Sequence, residues 1–200
     1  MARIVAKKIR EGNEIGIHTA DHCDLVMLQK DPNSATISGE PPVGACASPL
    51  SSATTALQEI QLSKNALTSN GFSPADTMAY PYGSYNSDTQ QLLKQNSIIG
   101  ARSVLAGFNT KSTNVYGLYT QIVNLNVTNA GIAQVKQWID TAVANKQWLI
   151  LAFHNIESLS ALKANGDVDG TTPEFLQSIA DYLKSKNVKV LTVHQGLNFE

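Results

Sequence analysis

The sequence predicts an α/β domain, and three features point there together. Segments of helical period alternate with short apolar runs of strand length from residue 4 to residue 193, without an internal repeat, as in helices crossing over a parallel sheet. Trp148 to Phe153 is almost continuously apolar, which suits a strand covered on both faces. The 200 residues suffice for one domain with a real core and fall short of two full α/β domains with a linker. A single domain over residues 1–200 is therefore expected.

Taken in order, Ile4, Val5 and Ile9 form one face of a helix that stops at Gly12, and Glu14 to His18 reads as a strand. A Pro/Gly/Ser-rich loop follows over 23–49. Leu50, Ala53, Leu57, Ile60 and Leu67 recur at helical spacing up to Asn70-Gly71. Thr77 to Tyr80 is a short strand, and Ser87 to Asn96 a helix capped by Asn86 or Ser87. Ile98 to Val104 and Gln121 to Val127 read as strands, and Ile132, Val135, Ile139 and Val143 as a helical stripe. After the 148–153 strand, Thr172-Pro173-Glu174 opens a helix with a capping hydroxyl and a proline in its first turn, and Val188 to Val193 closes as a strand.

Composition narrows the function. With 42% hydrophobic and 16% charged residues, disordered, collagen-like and coiled-coil chains are excluded. Fifteen Lys+Arg against sixteen Asp+Glu leave a net charge of -1, so nothing favours a polyanion, and nucleic acid is not expected as a partner. No stretch reaches the roughly 18 apolar residues of a membrane span, which argues against membrane insertion. Charges interrupt the apolar residues of Met1 to Arg10, so no signal peptide is read in this chain. Cys23 and Cys46 either form one bridge or stand as two ordinary thiols.

The chemistry gathers at strand ends. His18, His154 and His194 each follow a strand, and in parallel α/β folds the carboxyl ends of strands converge where ligands bind. His18 and His22, in an HxxxH spacing, would share one side of a helical turn and chelate a transition metal, or else form a pair of surface imidazoles. Two histidines are an incomplete set, since hydrolytic metal centres usually have three protein ligands. Tyr80-Pro81-Tyr82-Gly83 is either a tight loop that aims a backbone N–H at an oxyanion or a turn of packed tyrosines. His154 would serve as general acid or only hold a loop. Arg102 and Trp148 are candidates to line the same face, and His194 reads as structural.

Three segments resemble the NodB-homology polysaccharide deacetylases, carbohydrate esterase family 4. EGNEIGIHTADH (11–22) resembles the second motif, a strand running into His-Ser/Thr-x-x-His. MAYPYGSYN (78–86) is similar to the third in a form without arginine, and WLILAFHNI (148–156) to the fifth, followed by the helix and strand of TTPEFLQSIADYLKSKNVKVLTV. The resemblance implies a deformed (β/α) barrel and a metal-dependent hydrolase that removes N- or O-linked acetyl groups from a carbohydrate. His18 and His22 would hold a divalent metal, commonly zinc, although two imidazoles suit cobalt or nickel equally. The Tyr82 backbone amide would hold the oxyanion and His154 would be the general acid, while Tyr80, Pro81 and Trp148 would line the sugar groove. An extracellular or cell-envelope location is implied as well.

The chain also departs from that family. The Thr-Phe-Asp-Asp segment, which supplies a base and a metal ligand, is not found within these 200 residues, so the barrel reads as N-terminally truncated and incomplete. Asp21, Asp24, Glu157, Asp167 and Asp169 are the candidate replacement carboxylates. Impaired activity is one expectation, and a non-catalytic carbohydrate-binding or self-associating protein is the alternative. Exposed strand edges would be relieved by pairing, which leaves a homo-oligomer open.

Overall fold

A computed structural model describes residues 11–30, 46 and 51–198. The helix expected through Ile4, Val5 and Ile9, and most of the 23–49 loop, lie outside the described residues. The rest is a mixture of helices and short parallel strands, in agreement with the α/β expectation. The described residues fall into two compact units, one within Met1–Val104, Asn114–Leu118 and Thr192–Glu200, the other within Leu105–Thr113 and Tyr119–Leu191.

In the first unit, α1 (Leu25–Lys30) starts where Asp24 Oδ1 accepts the Val26 and Met27 N–H groups at 2.9 and 3.0 Å. The composition of 23–49 hid this helix. α2 (Ala56–Ser69) begins at Thr55, whose hydroxyl accepts from the Gln58 N–H, and so later than the apolar spacing from Leu50 suggested. β1 (Thr77–Ala79) leads through a short 3-10 turn to α3 (Ser87–Gln95), where Asn86 and Thr89 form a reciprocal capping box. β2 (Gly100–Arg102) runs parallel to β1, with Ala79 opposite Arg102.

Single bridges extend that ladder on both sides: Ile17 lies parallel to Met78, and Leu118 parallel to Arg102. The Glu14–His18 strand thus survives as one bridge, held by Ile17 N–H to Thr77 O at 2.8 Å and Ala79 N–H to Ile17 O at 3.0 Å. Parallel pairing sends His18, Tyr80 and Ser103 off the same edge. Ile17, Leu25, Ile60, Met78, Tyr80 and Leu93 form the core beneath it. The segment 188–193 departs from its expected strand. Thr192 and Gln195 form a capping box that starts a helical turn at Val193–Gly196, and Val190 is 72% exposed and so has no core to face.

Cys23 and Cys46 are joined in a disulfide, which resolves the choice the sequence left open. Both are buried, packed with Leu28 and Met27. Closing a loop with a sequence separation of 23 should stabilise the fold by about 3 kcal/mol through the unfolded state. A Cys46→Ser variant is expected to lose that amount in urea denaturation, and adding a reductant should cost the wild type the same but the variant nothing.

The second unit holds β3 (Gln121–Ile122), α4 (Leu125–Ala130), α5 (Ala133–Ala144), β4 (Leu151–Ala152), α6 (Leu159–Asn165) and α7 (Pro173–Ser185). β3 and β4 are parallel, with Gln121 opposite Leu151. The expected 121–127 strand stops early because the Asn124 side chain caps α4 by accepting from the Val127 N–H. α6 carries one buried side chain, Leu162, too faint a pattern to read from the sequence, and ends at Gly166 in the left-handed region. α7 opens at Thr172 and Pro173 as expected. Val123, Val135, Ile139 and Ile179 form the core, with Leu149, Leu151 and Phe153 against it. The named strands make two separate two-stranded ladders, and no closed sheet is seen among the described residues.

Candidate functional site

The site in the first unit is built on the edge that the parallel register defines. His18 follows Ile17 directly, and its Nδ1 lies 2.7 Å from the Ala79 carbonyl at the end of β1. A carbonyl only accepts, so Nδ1 carries the proton, the second-shell arrangement typical of metal-binding histidines. His22 meets His18 edge to face, with ring centroids 4.7 Å apart. The Tyr82 ring lies 4.8 Å from that of His22, also edge to face. His18 is exposed, His22 half-buried and Tyr82 41% exposed, so the three rings form a surface constellation.

The imidazoles do not meet through a helical turn, as the HxxxH spacing suggested. Residues 18–22 form an irregular bend, with Thr19 at φ 62° and His22 at φ 54°. Glu59, on the first turn of α2, reaches into this bend. Its Oε2 accepts the Ala20 and Asp21 N–H groups, each at 2.9 Å. Burial pushes the Glu59 carboxyl above the usual carboxylate range, opposed by the hydrogen bonds from the Asp21 and Ala20 backbone. Thr19 Oγ1 in turn accepts the Cys23 N–H at 2.9 Å. Sequence reasoning missed Glu59, because a glutamate inside an amphipathic helix reads as an ordinary surface residue.

The Tyr80-Pro81-Tyr82-Gly83 segment is a tight loop. Tyr82 sits at φ 58°, an uncommon conformation for a residue with a side chain. Gly83, at φ 71°, is where a Cβ would run into Val104. The Gly83 and Ser84 N–H groups turn back to the Tyr80 and Pro81 carbonyls at 3.0 and 3.2 Å.

Tyr80 and Pro81 require a correction. Tyr80 is 1% exposed, stacked on Tyr85, and its hydroxyl donates to the Tyr116 carbonyl at 3.0 Å. Burial pushes its phenol well above the ordinary tyrosine range. Pro81 is buried too, so neither presents a side-chain surface to a sugar; Tyr80 continues the inward face of β1 into the core. Arg102 ends β2 half-buried, its guanidinium held below the usual arginine range by that burial.

The two candidate replacement carboxylates nearest the histidines are engaged elsewhere. Asp21 accepts the Ser51 N–H at 3.0 Å and the Ser51 hydroxyl at 2.7 Å, and Asp24 caps α1. Among the described residues the one grouping of three potential donors is Cys23, Cys46 and Glu59, whose sulfurs are committed to the disulfide. His18 and His22 thus fit two places of a metal's ligand set, and no described carboxylate joins them in such a grouping. His194 is structural as expected: its Nδ1 lies 3.0 Å from Asp76 Oδ1, and its backbone N–H donates to Glu14 at 2.8 Å.

In the second unit, His154 is exposed just beyond the end of β4. Asp167 is held below the usual carboxylate range by the Asn155 amide, 2.7 Å away, with lesser contributions from the Asp169 and Gly170 N–H groups and the His154 imidazole. Trp148 is half-buried, and its backbone exchanges two 2.8 Å hydrogen bonds with Asn109. Glu157 and Asp169 are exposed.

Comparison with known families agrees with the first unit. Residues 2–99 match the model of the family described as polysaccharide deacetylase, a span that includes His18, His22 and the Tyr80–Gly83 loop and ends before Trp148 and His154. No curated protein and no solved structure matches the chain. The imidazole pair at a strand end and the strained loop beside it lie within that span, and over residues 2–99, just under half of its length, the chain is similar to the polysaccharide deacetylase family.

Proposed function

We propose that this protein is a metal-dependent hydrolase that removes acetyl groups from a carbohydrate polymer or oligomer, with His18 and His22 as ligands of a divalent cation, zinc by preference. One observation carries the reading: the two rings lie 4.7 Å apart, with the tautomer of His18 set by the Ala79 carbonyl. Bound there, the cation supplies Lewis acidity toward an acetyl carbonyl. The Tyr82 backbone N–H would stabilise the developing oxyanion. His154 protonates the departing amine or alkoxide, and Trp148 contributes to sugar binding. A deformed barrel over the single domain 1–200 belongs to the same reading. The Cys23–Cys46 disulfide supports an extracellular or envelope location, because such bridges persist in oxidising compartments.

The test is acetate release from acetylated chitooligosaccharide, acetyl-xylan and an aryl acetate. Release from at least one of them is expected with zinc or cobalt present, lost on chelation and restored by the metal. Silence on all of them with metal supplied overturns the proposal.

A further inference from the structure

We propose that Glu59 is a positioning residue that sets the spacing of His18 and His22 for metal binding; this rests on the metal-ligand reading above. The bend between the two histidines is not helical, so no regular ladder holds its ends in register. Two of the three intervening residues instead turn to one carboxylate: the Ala20 and Asp21 N–H groups, each at 2.9 Å. Successive backbone N–H groups converging on one oxygen form an anion-binding nest, and here the anion is the protein's own. Within the bend, Thr19 Oγ1 accepts the Cys23 N–H at 2.9 Å, just beyond His22.

The mounting of Glu59 suits the task. It is 0% exposed and sits on the first turn of α2, where the helix dipole favours negative charge, next to Ile60 in the core. Its second oxygen, Oε1, finds no hydrogen-bond partner, so the carboxylate is an expensive way to fill this space. Its return is a bend held from a rigid helix, the kind of support that keeps metal ligands in place.

The experiment compares cobalt(II) affinity, by competition with a chelating dye, and the visible cobalt spectrum in wild type, Glu59→Gln, His18→Ala and the core variant Leu93→Ala, with melting curves for each. Glu59→Gln keeps the shape and removes the charge. It is expected to weaken cobalt binding by about 10- to 100-fold, the usual effect of losing an outer-shell partner, and to alter the spectrum. Leu93→Ala should lower the melting temperature while leaving affinity and spectrum unchanged.

Wild-type affinity and spectrum in Glu59→Gln overturn the proposal, provided that His18→Ala abolishes binding. If His18→Ala also binds like wild type, the metal-ligand reading itself fails and takes this proposal with it. Should Glu59→Gln not accumulate in folded form, Glu59→Asp draws the carboxylate back from the Ala20 and Asp21 N–H groups; weaker cobalt binding supports the proposal and unchanged binding overturns it.

Discussion

His18→Ala is expected to reduce acetate release by about 10³-fold or more, since a Lewis acid supplies several kcal/mol of transition-state stabilisation and each 1.36 kcal/mol is a factor of ten. Purified protein should lose most of its bound metal, and added zinc should not restore turnover. His18 is exposed, so the substitution removes no core packing, and its melting curve should stay close to that of the wild type. The loss of turnover can then be assigned to the site. His22→Ala should behave alike in turnover, with a somewhat larger stability cost because that ring is half-buried against Tyr82. Full activity in His18→Ala at saturating metal would remove His18 from the ligand set.

His154→Ala is expected to slow deacetylation of an N-acetyl sugar by about 10² to 10⁴, the usual contribution of general acid–base catalysis. An amine is a poor leaving group and must be protonated as it departs. A nitrophenolate leaves without a proton, so nitrophenyl acetate hydrolysis should change only a few-fold in the same variant. Both kcat/KM values are to be measured. An equal fall on the two substrates would mean that His154 acts through the fold, for example by holding the loop of Asn155 and Asp167, and not as the acid.

How far the sequence could be read differs from segment to segment. α2, α3, α5 and α7 were legible because each carries a capping residue or a periodic apolar stripe that does not depend on distant partners. α1 was hidden by a loop-like composition, and α6 by a single buried leucine. Val188 to Val193 has the residues of a strand, yet a strand needs a neighbour, and local capping at Thr192 prevailed.

The site shows the same division. His18, His22 and Tyr82 were legible as residue types at the ends of strands. Tyr80 was given to the sugar groove by the family resemblance, whereas its direction is set by the pleat of β1, which turns it into the core as in the packed-tyrosine alternative. Glu59 was invisible, because its partners lie 38 and 39 residues away in the chain.

What the amino-acid order determined by itself was the α/β class, most of the helices, the histidines at strand ends and the family resemblance. Each of these is written in local spacing, capping or motif. Only the tertiary structure decided that the two imidazoles meet across an irregular bend, that a buried carboxylate from another helix holds that bend, that Tyr80 belongs to the core and that Cys23 finds Cys46. Those outcomes depend on which strand lies beside which, and parallel pairing brings together segments that share no local signal.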